Sequence, residues 1–100
     1  MRLGTVIGRV TLNAVAPALI GARWLIVDPF TRTHMQRGTV PPEGLSGEPT
    51  LVVYDDIGAG QGDTIGFVEG REAAVPFKNR TPIDAIDVAI VDDVLHRPLP

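Results

Sequence analysis

Hydrophobic and polar positions alternate from Leu3 to Asn13 (LGTVIGRVTLN), with Val6, Gly8, Val10 and Leu12 on one side and Arg9, Thr11 and Asn13 on the other. That period of two predicts a half-buried strand. Ala16-Pro17 and Gly21 punctuate a connection, and Arg23 to Asp28 (RWLIVD) follows with apolar residues on both faces, Trp24 and Ile26 against Leu25 and Val27. Thr50 to Tyr54 (TLVVY) repeats the doubly apolar pattern, and Thr64 to Val68 (TIGFV) sets Ile65 and Phe67 on one side. In a small barrel one face of each strand meets the core, so the second apolar face must meet a loop, a terminus or another subunit.

Between the second and third strands, Pro29 to Pro49 holds four prolines, both ends included, and three glycines with weak periodicity. It reads as a loop of about 20 residues, a length reserved in compact domains for functional or mobile segments. The last stretch, TPIDAIDVAIVDDV from Thr81, carries two signals. Thr81, Pro82 and Asp84 have the form of a helix start, whereas Ile86, Val88 and Ile90 alternate with Asp87 and Ala89 as a strand does. We read one helical turn at Pro82 to Ala85 and then a fifth strand to about Val91. The expectation is one all-β domain over residues 1–95, with residues 96–100 an extended tail because Pro98 and Pro100 preclude a regular helix.

Composition narrows the function. The chain has 100 residues, 44% hydrophobic but with only five aromatics, so the apolar material is Val, Ile, Leu and Ala, which suits strands more than a large ligand cavity. A formal charge of −3, with Lys78 the single lysine among nine basic residues, gives no field to attract a polyanion, and no nucleic-acid partner is expected. With no cysteine, disulfides, thiolate metal sites and cysteine nucleophiles are excluded. The apolar runs fall far short of the ~20 residues of a membrane span, and Met1-Arg2-Leu3-Gly4 leads into a strand pattern rather than a signal segment. The expectation is a cytoplasmic chain with no membrane partner.

Residues 54–70 (YDDIGAGQGDTIGFVEG) raise the question of a phosphate-binding loop. Such loops work because a helix N-terminus follows and presents free N–H groups to the anion. Here a strand follows, Asp63 puts a negative charge where a phosphate would sit, and no Lys-Ser/Thr pair is present. The simpler reading is that Gly58, Gly60 and Gly62 permit a turn between strands and leave a surface that other backbone can approach closely.

The run Asp55-Asp56-Ile57-Gly58-Ala59-Gly60-Gln61-Gly62-Asp63 resembles the D-x-[VI]-G-A-G-x-G-[ED] signature of the EutN/CcmL family, the pentameric vertex proteins of bacterial microcompartment shells. Downstream, Asn79 to Asp92 (NRTPIDAIDVAIVD) is similar to that family's N-x-x-P-[VI]-D-A-x-x-x-x-I-[VI]-D ending, and the first two strands are compatible as well. Two departures stand out. Gly70-Arg71-Glu72-Ala73-Ala74 lacks the usual arginine at position 74, and the loop over 30–48 is longer than the family's short turn.

The resemblance implies a five-stranded, OB-like β-barrel that assembles as a cyclic pentamer and closes shell corners beside hexameric and trimeric shell proteins, without catalysis, cofactor or metal. It implies that Gly58, Ala59, Gly60, Gln61 and Gly62 lie near the five-fold axis and rim a pore. Candidates for subunit or tile contacts are Trp24, Leu25, Val27, Asn79, Pro82 and Asp84, with Trp24 equally readable as core.

Rival readings lack residues. An OB-fold module for single-stranded nucleic acid or a small ligand needs exposed aromatics beside cations, and Trp24, Phe30, Tyr54, Phe67 and Phe77 lie mostly in apolar runs. An enzyme is not indicated either: Ser46 is the only serine and has no G-x-S-x-G elbow, and His34 and His96 show no metal-ligand spacing. Asp55, Asp56 and Asp63 lack the spacing of a calcium-binding loop.

Overall fold

The computed structural model describes residues 1–31 and 46–95. Five strands, β1 (Arg2–Val10), β2 (Arg23–Pro29), β3 (Leu51–Asp55), β4 (Thr64–Glu69) and β5 (Ala85–Val91), close into a barrel in the order β1-β2-β3-β5-β4. Every pairing is antiparallel except β3 with β5, which is parallel. This is the expected OB-like closed barrel, and closure leaves no long sheet edge to pair with another chain.

The core consists of Val6, Leu25, Val27, Val53, Ala59, Ile65, Phe67 and Ala85. Each strand contributes its inward positions, and burial of each large side chain favours folding by about 1.5–3 kcal/mol. Gly4 is part of this packing. A Cβ there would stand 2.5 Å from Val27 Cγ1 and 3.2 Å from Phe67 Cε1, so the barrel wall closes on those side chains only because position 4 has none.

Three expectations change. The first strand was expected to alternate through Asn13, but a bulge between Val6 and Gly8 resets its register and pairing ends at Val10, leaving Leu12 exposed. An extra residue on one strand flips every side chain beyond it, and Arg9 consequently stands opposite Leu25. The helical turn expected at Pro82 to Ala85 is absent. The Thr81 hydroxyl donates back to the Asn79 carbonyl at 3.0 Å instead of capping forward, and β5 already begins at Ala85, paired with Glu69. Short 3-10 turns occur elsewhere, at Pro17–Leu19 and Gly70–Ala74. Most of the long loop expected over 29–49, together with His34 and the tail from His96, lies outside the described residues, while Pro29 belongs to β2.

Candidate functional site

The glycine-rich loop connects β3 to β4, and Asp55, the last residue of β3, organises it. One carboxylate oxygen, Oδ1, accepts the backbone N–H of Ile57 (3.3 Å), Gly58 (3.0 Å) and Ala59 (3.2 Å). The other accepts Arg23 Nη1 from β2 at 2.5 Å. At the far side of the loop, Asp63 Oδ2 accepts the N–H of Gly60 at 2.8 Å, and the N–H of Gly62 donates to the Val6 carbonyl at 2.8 Å. Asp63 in turn donates its own N–H to Gly60 at 3.0 Å.

This geometry answers the question the glycines pose. The amides that would cradle a phosphate are turned onto the chain's own carboxylates, which already occupy the anion's place. Gly58 and Gly62 take φ of +85° and +91°, the left-handed conformations that let the backbone curl around Asp55 and return into β4. Ala59 is fully buried and anchors the loop in the core, whereas Gly58, Gln61 and Gly62 are exposed and Gly60 is half-buried. The loop is a braced surface feature.

Behind it lies a group that the alternation of the last strand did not reveal. Asp87 of β5 reads in sequence as a solvent-facing residue between Ile86 and Val88, yet it is only 1% exposed. Asp87 stands opposite the core residue Phe67 of β4 and so faces inward, and a register irregularity just beyond it, between Gly66 and Phe67, follows the run in which Ala85, Ile86 and Asp87 are all buried. Asp87 Oδ1 accepts the N–H of Asp56 at 2.8 Å, and Oδ2 finds no donor among the described residues.

The neighbouring carboxylate of Asp55 can only accept, so a proton held on Asp87 is what satisfies both groups. Burial, then the hydrogen bond to Asp55, push Asp87 up to about 7; the Asp56 N–H opposes them, and the charges of Asp55 and Asp56 add smaller upward effects. Burial acts to raise Asp55 as well. The Asp87 hydrogen bond and the N–H groups of Ala59, Gly58 and Ile57 outweigh it and lower its pKa. Opposite shifts in two adjoining carboxylates are the behaviour expected of a pair that shares one proton, with the charge favoured on Asp55.

A cavity of about 390 Å³ opens beside the loop, lined by Gly8, Arg9, Thr11, Arg23, Leu25 and Gln61. Among the described residues no cluster of three His, Cys, Asp or Glu is arranged to hold a metal ion, and no helix is long and apolar enough to cross a membrane. Ser46 donates its hydroxyl to Asp28 Oδ1 at 2.9 Å and its N–H to the same carboxylate, so this serine fastens the return of the chain onto β2.

The remaining sequence-predicted residues separate into two groups. Leu25 and Val27 fill the interior of their own barrel. Trp24 lies half-buried on the outer face, its ring edge-on to Tyr54 at 5.4 Å, and Tyr54 in turn meets Phe77 at 5.0 Å. Asn79, Pro82 and Asp84 are exposed on the segment before β5. None of these touches the glycine-rich loop's hydrogen-bond network.

The model of the family described as ethanolamine utilisation protein EutN/carboxysome matches residues 1–92. The chain is 34% identical over 91 residues to the bacterial microcompartment shell vertex protein PduN of Salmonella typhimurium, covering 91% of each chain. Among solved structures it is similar to the GrpN pentameric microcompartment shell protein from Rhodospirillum rubrum, with 33% identity, a TM-score of 0.75 and coverage of 98% of this chain and 100% of that one. It is also similar to EutN from Escherichia coli, at 27% identity, TM-score 0.74 and coverage of 96% and 89%.

Proposed function

The chain belongs to the EutN/CcmL family, and on that premise we propose that it is a structural shell protein, five copies of which close into a ring that caps the vertices of a bacterial microcompartment. One observation carries this reading: the barrel interior is filled by its own side chains while apolar ones remain outside. Val52, Ile57, Val88 and Ile90 stand 42–47% exposed on strands and loop of a small closed barrel. Such side chains are stabilised by contact with another surface. A cyclic ring supplies it through a heterologous interface, in which each copy offers two different patches.

The glycine-rich loop fits the same role. Its amides are satisfied internally, so Gly58, Ala59, Gly60, Gln61 and Gly62 present a compact rim able to pack around a five-fold axis. Hexameric and trimeric shell proteins are the partners proposed for the outer flanks, with Trp24, Asn79, Pro82 and Asp84 as the contact residues. A nucleic-acid reading has no support in the aromatics, because Trp24, Tyr54 and Phe77 pack against one another instead of offering open faces to bases.

Native mass spectrometry and sedimentation test the assembly. Five copies are expected at micromolar concentration, and Gly60→Leu is expected to reduce the pentamer fraction by crowding the axis. A wild-type chain that remains monomeric at millimolar concentration would overturn the reading.

A further inference from the structure

A groove of about 650 Å³ lies outside the barrel, between the 3-10 turn at Gly70–Ala74 and the approach to β5. Val75, Phe77 and Pro82 give it an apolar lining, and Arg71, Lys78 and Arg80 supply cations around it. No acidic residue lines it. Phe77 is held from behind by its edge-on contact with Tyr54, and Val75 is 75% exposed, so apolar surface is displayed rather than buried. Among the described residues none of the three cations forms an ion pair.

The complementary chemistry lies at the other end of β5. Asp92 and Asp93 are exposed, Val94 is half-buried, and Leu95 is 80% exposed. Two acids followed by two aliphatic residues match a groove with cations around an apolar floor, since carboxylates pair with guanidinium groups while Leu95 leaves water. This segment does not fit its own groove. Seven strand residues from Ala85 to Val91 span about 20 Å at ~3.3 Å each, and the four residues Asp92 to Leu95 reach at most ~14 Å fully extended.

We propose that Asp92–Leu95 of one copy seats in the Arg71/Lys78/Arg80 groove of the next copy. The inference rests on the pentamer reading and deepens it, naming the two unlike patches that a closed ring requires. The carboxylates of Asp92 and Asp93 meet the three cations, and Leu95 packs on Phe77 and Val75. Each copy gives one tail and receives another, so five identical contacts close the ring with no free end.

Charge reversal tests it by native mass spectrometry over a dilution series. Three variants are compared with the full wild-type chain: Asp92→Lys with Asp93→Lys, Arg71→Glu with Arg80→Glu, and all four together. Each half-reversal is expected to raise the midpoint concentration of pentamer dissociation at least tenfold, and the four-fold swap to recover most of that loss. Leu95→Asp is expected to weaken the ring without altering the barrel, whose integrity circular dichroism follows in every variant. A pentameric wild type whose half-reversals dissociate at the wild-type concentration overturns the docking and leaves the pentamer reading intact, as does a swap no tighter than either half. A wild type that is never pentameric overturns both.

Discussion

Replacing Asp87 with Asn should stabilise the protein at pH 8 and leave it nearly unchanged at pH 4. Asn has the shape of a protonated aspartic acid: its amide can donate to Asp55 where the acid proton does, and its carbonyl can accept the Asp56 N–H that Asp87 Oδ1 accepts at 2.8 Å. The wild type has this arrangement only while Asp87 keeps its proton. Its pKa in the fold is about 7, against an ordinary value of 3.8. Between those values the folded chain holds a proton that the unfolded chain has released, so wild-type stability falls as pH rises through the window and changes little above it.

A shift of about three pH units at about 1.4 kcal/mol each sets an upper bound of about 4 kcal/mol. Local relaxation and water entering beside the pair reduce this, and we expect a gain of about 2 kcal/mol for Asp87→Asn at pH 8. In a chain of this size that corresponds to a rise in Tm of about 10 °C. The opposite linkage belongs to Asp55. Its pKa is lowered in the fold, so its contribution is present above the ordinary carboxylate range and is lost as pH falls below it. Thermal unfolding of both proteins from pH 4 to pH 8, at one fixed chain concentration because assembly contributes to Tm, separates the two. Parallel curves across that range, or an Asn variant less stable than wild type at pH 8, would refute the shared proton.

Asp55→Ala removes the acceptor of three loop amides and the partner of Arg23 together, and a loss of about 3 kcal/mol is expected in urea unfolding at pH 5, where Asp87 is neutral. A loss below about 1 kcal/mol would show that water substitutes freely for the carboxylate. Gly4→Ala places a methyl 2.5 Å from Val27 Cγ1, and overpacking of about 2 kcal/mol should appear as a lowered Tm, whereas an unchanged Tm would mean that the barrel wall yields at no cost.

The barrel was legible because its inward positions are chemically unambiguous. Leu25, Val27, Val53, Ile65 and Phe67 stand on strands bounded by Gly, Pro and Asp, and each lies in the core. What escaped the sequence are the places where a strand gains or loses one residue of register. The bulge after Val6 and the irregularity after Gly66 coincide with strand-interior glycines, Gly8 and Gly66, but a glycine there signals a bulge or a close backbone approach alike and does not fix the register beyond it. The helical turn at Pro82 failed for a related reason: Thr81-Pro82 has the local form of a helix start, but pairing of Ala85 with Glu69 decides the backbone, as tertiary contact overrides a weak local preference.

The signature glycines were readable and their support was not because the first is a local pattern and the second a contact between strands far apart in the chain. Asp55 sits one position before the loop and braces it by local bonds from Ile57, Gly58 and Ala59, a pattern that sequence spacing can express. Asp87 reaches that carboxylate only because β3 and β5, far apart in the chain, run side by side, with Tyr54 opposite Ile86. A buried acid placed by one parallel strand against another is invisible to periodicity, which counts Asp87 as the polar half of an alternation. The cost of burying it is met by holding it neutral beside the one carboxylate whose charge three amides and an arginine stabilise. Loop rigidity and the proton on Asp87 are therefore one arrangement. A change that restores the charge to Asp87 also withdraws a donor from Asp55, so the brace on the glycine-rich loop is expected to weaken as pH rises through about 7.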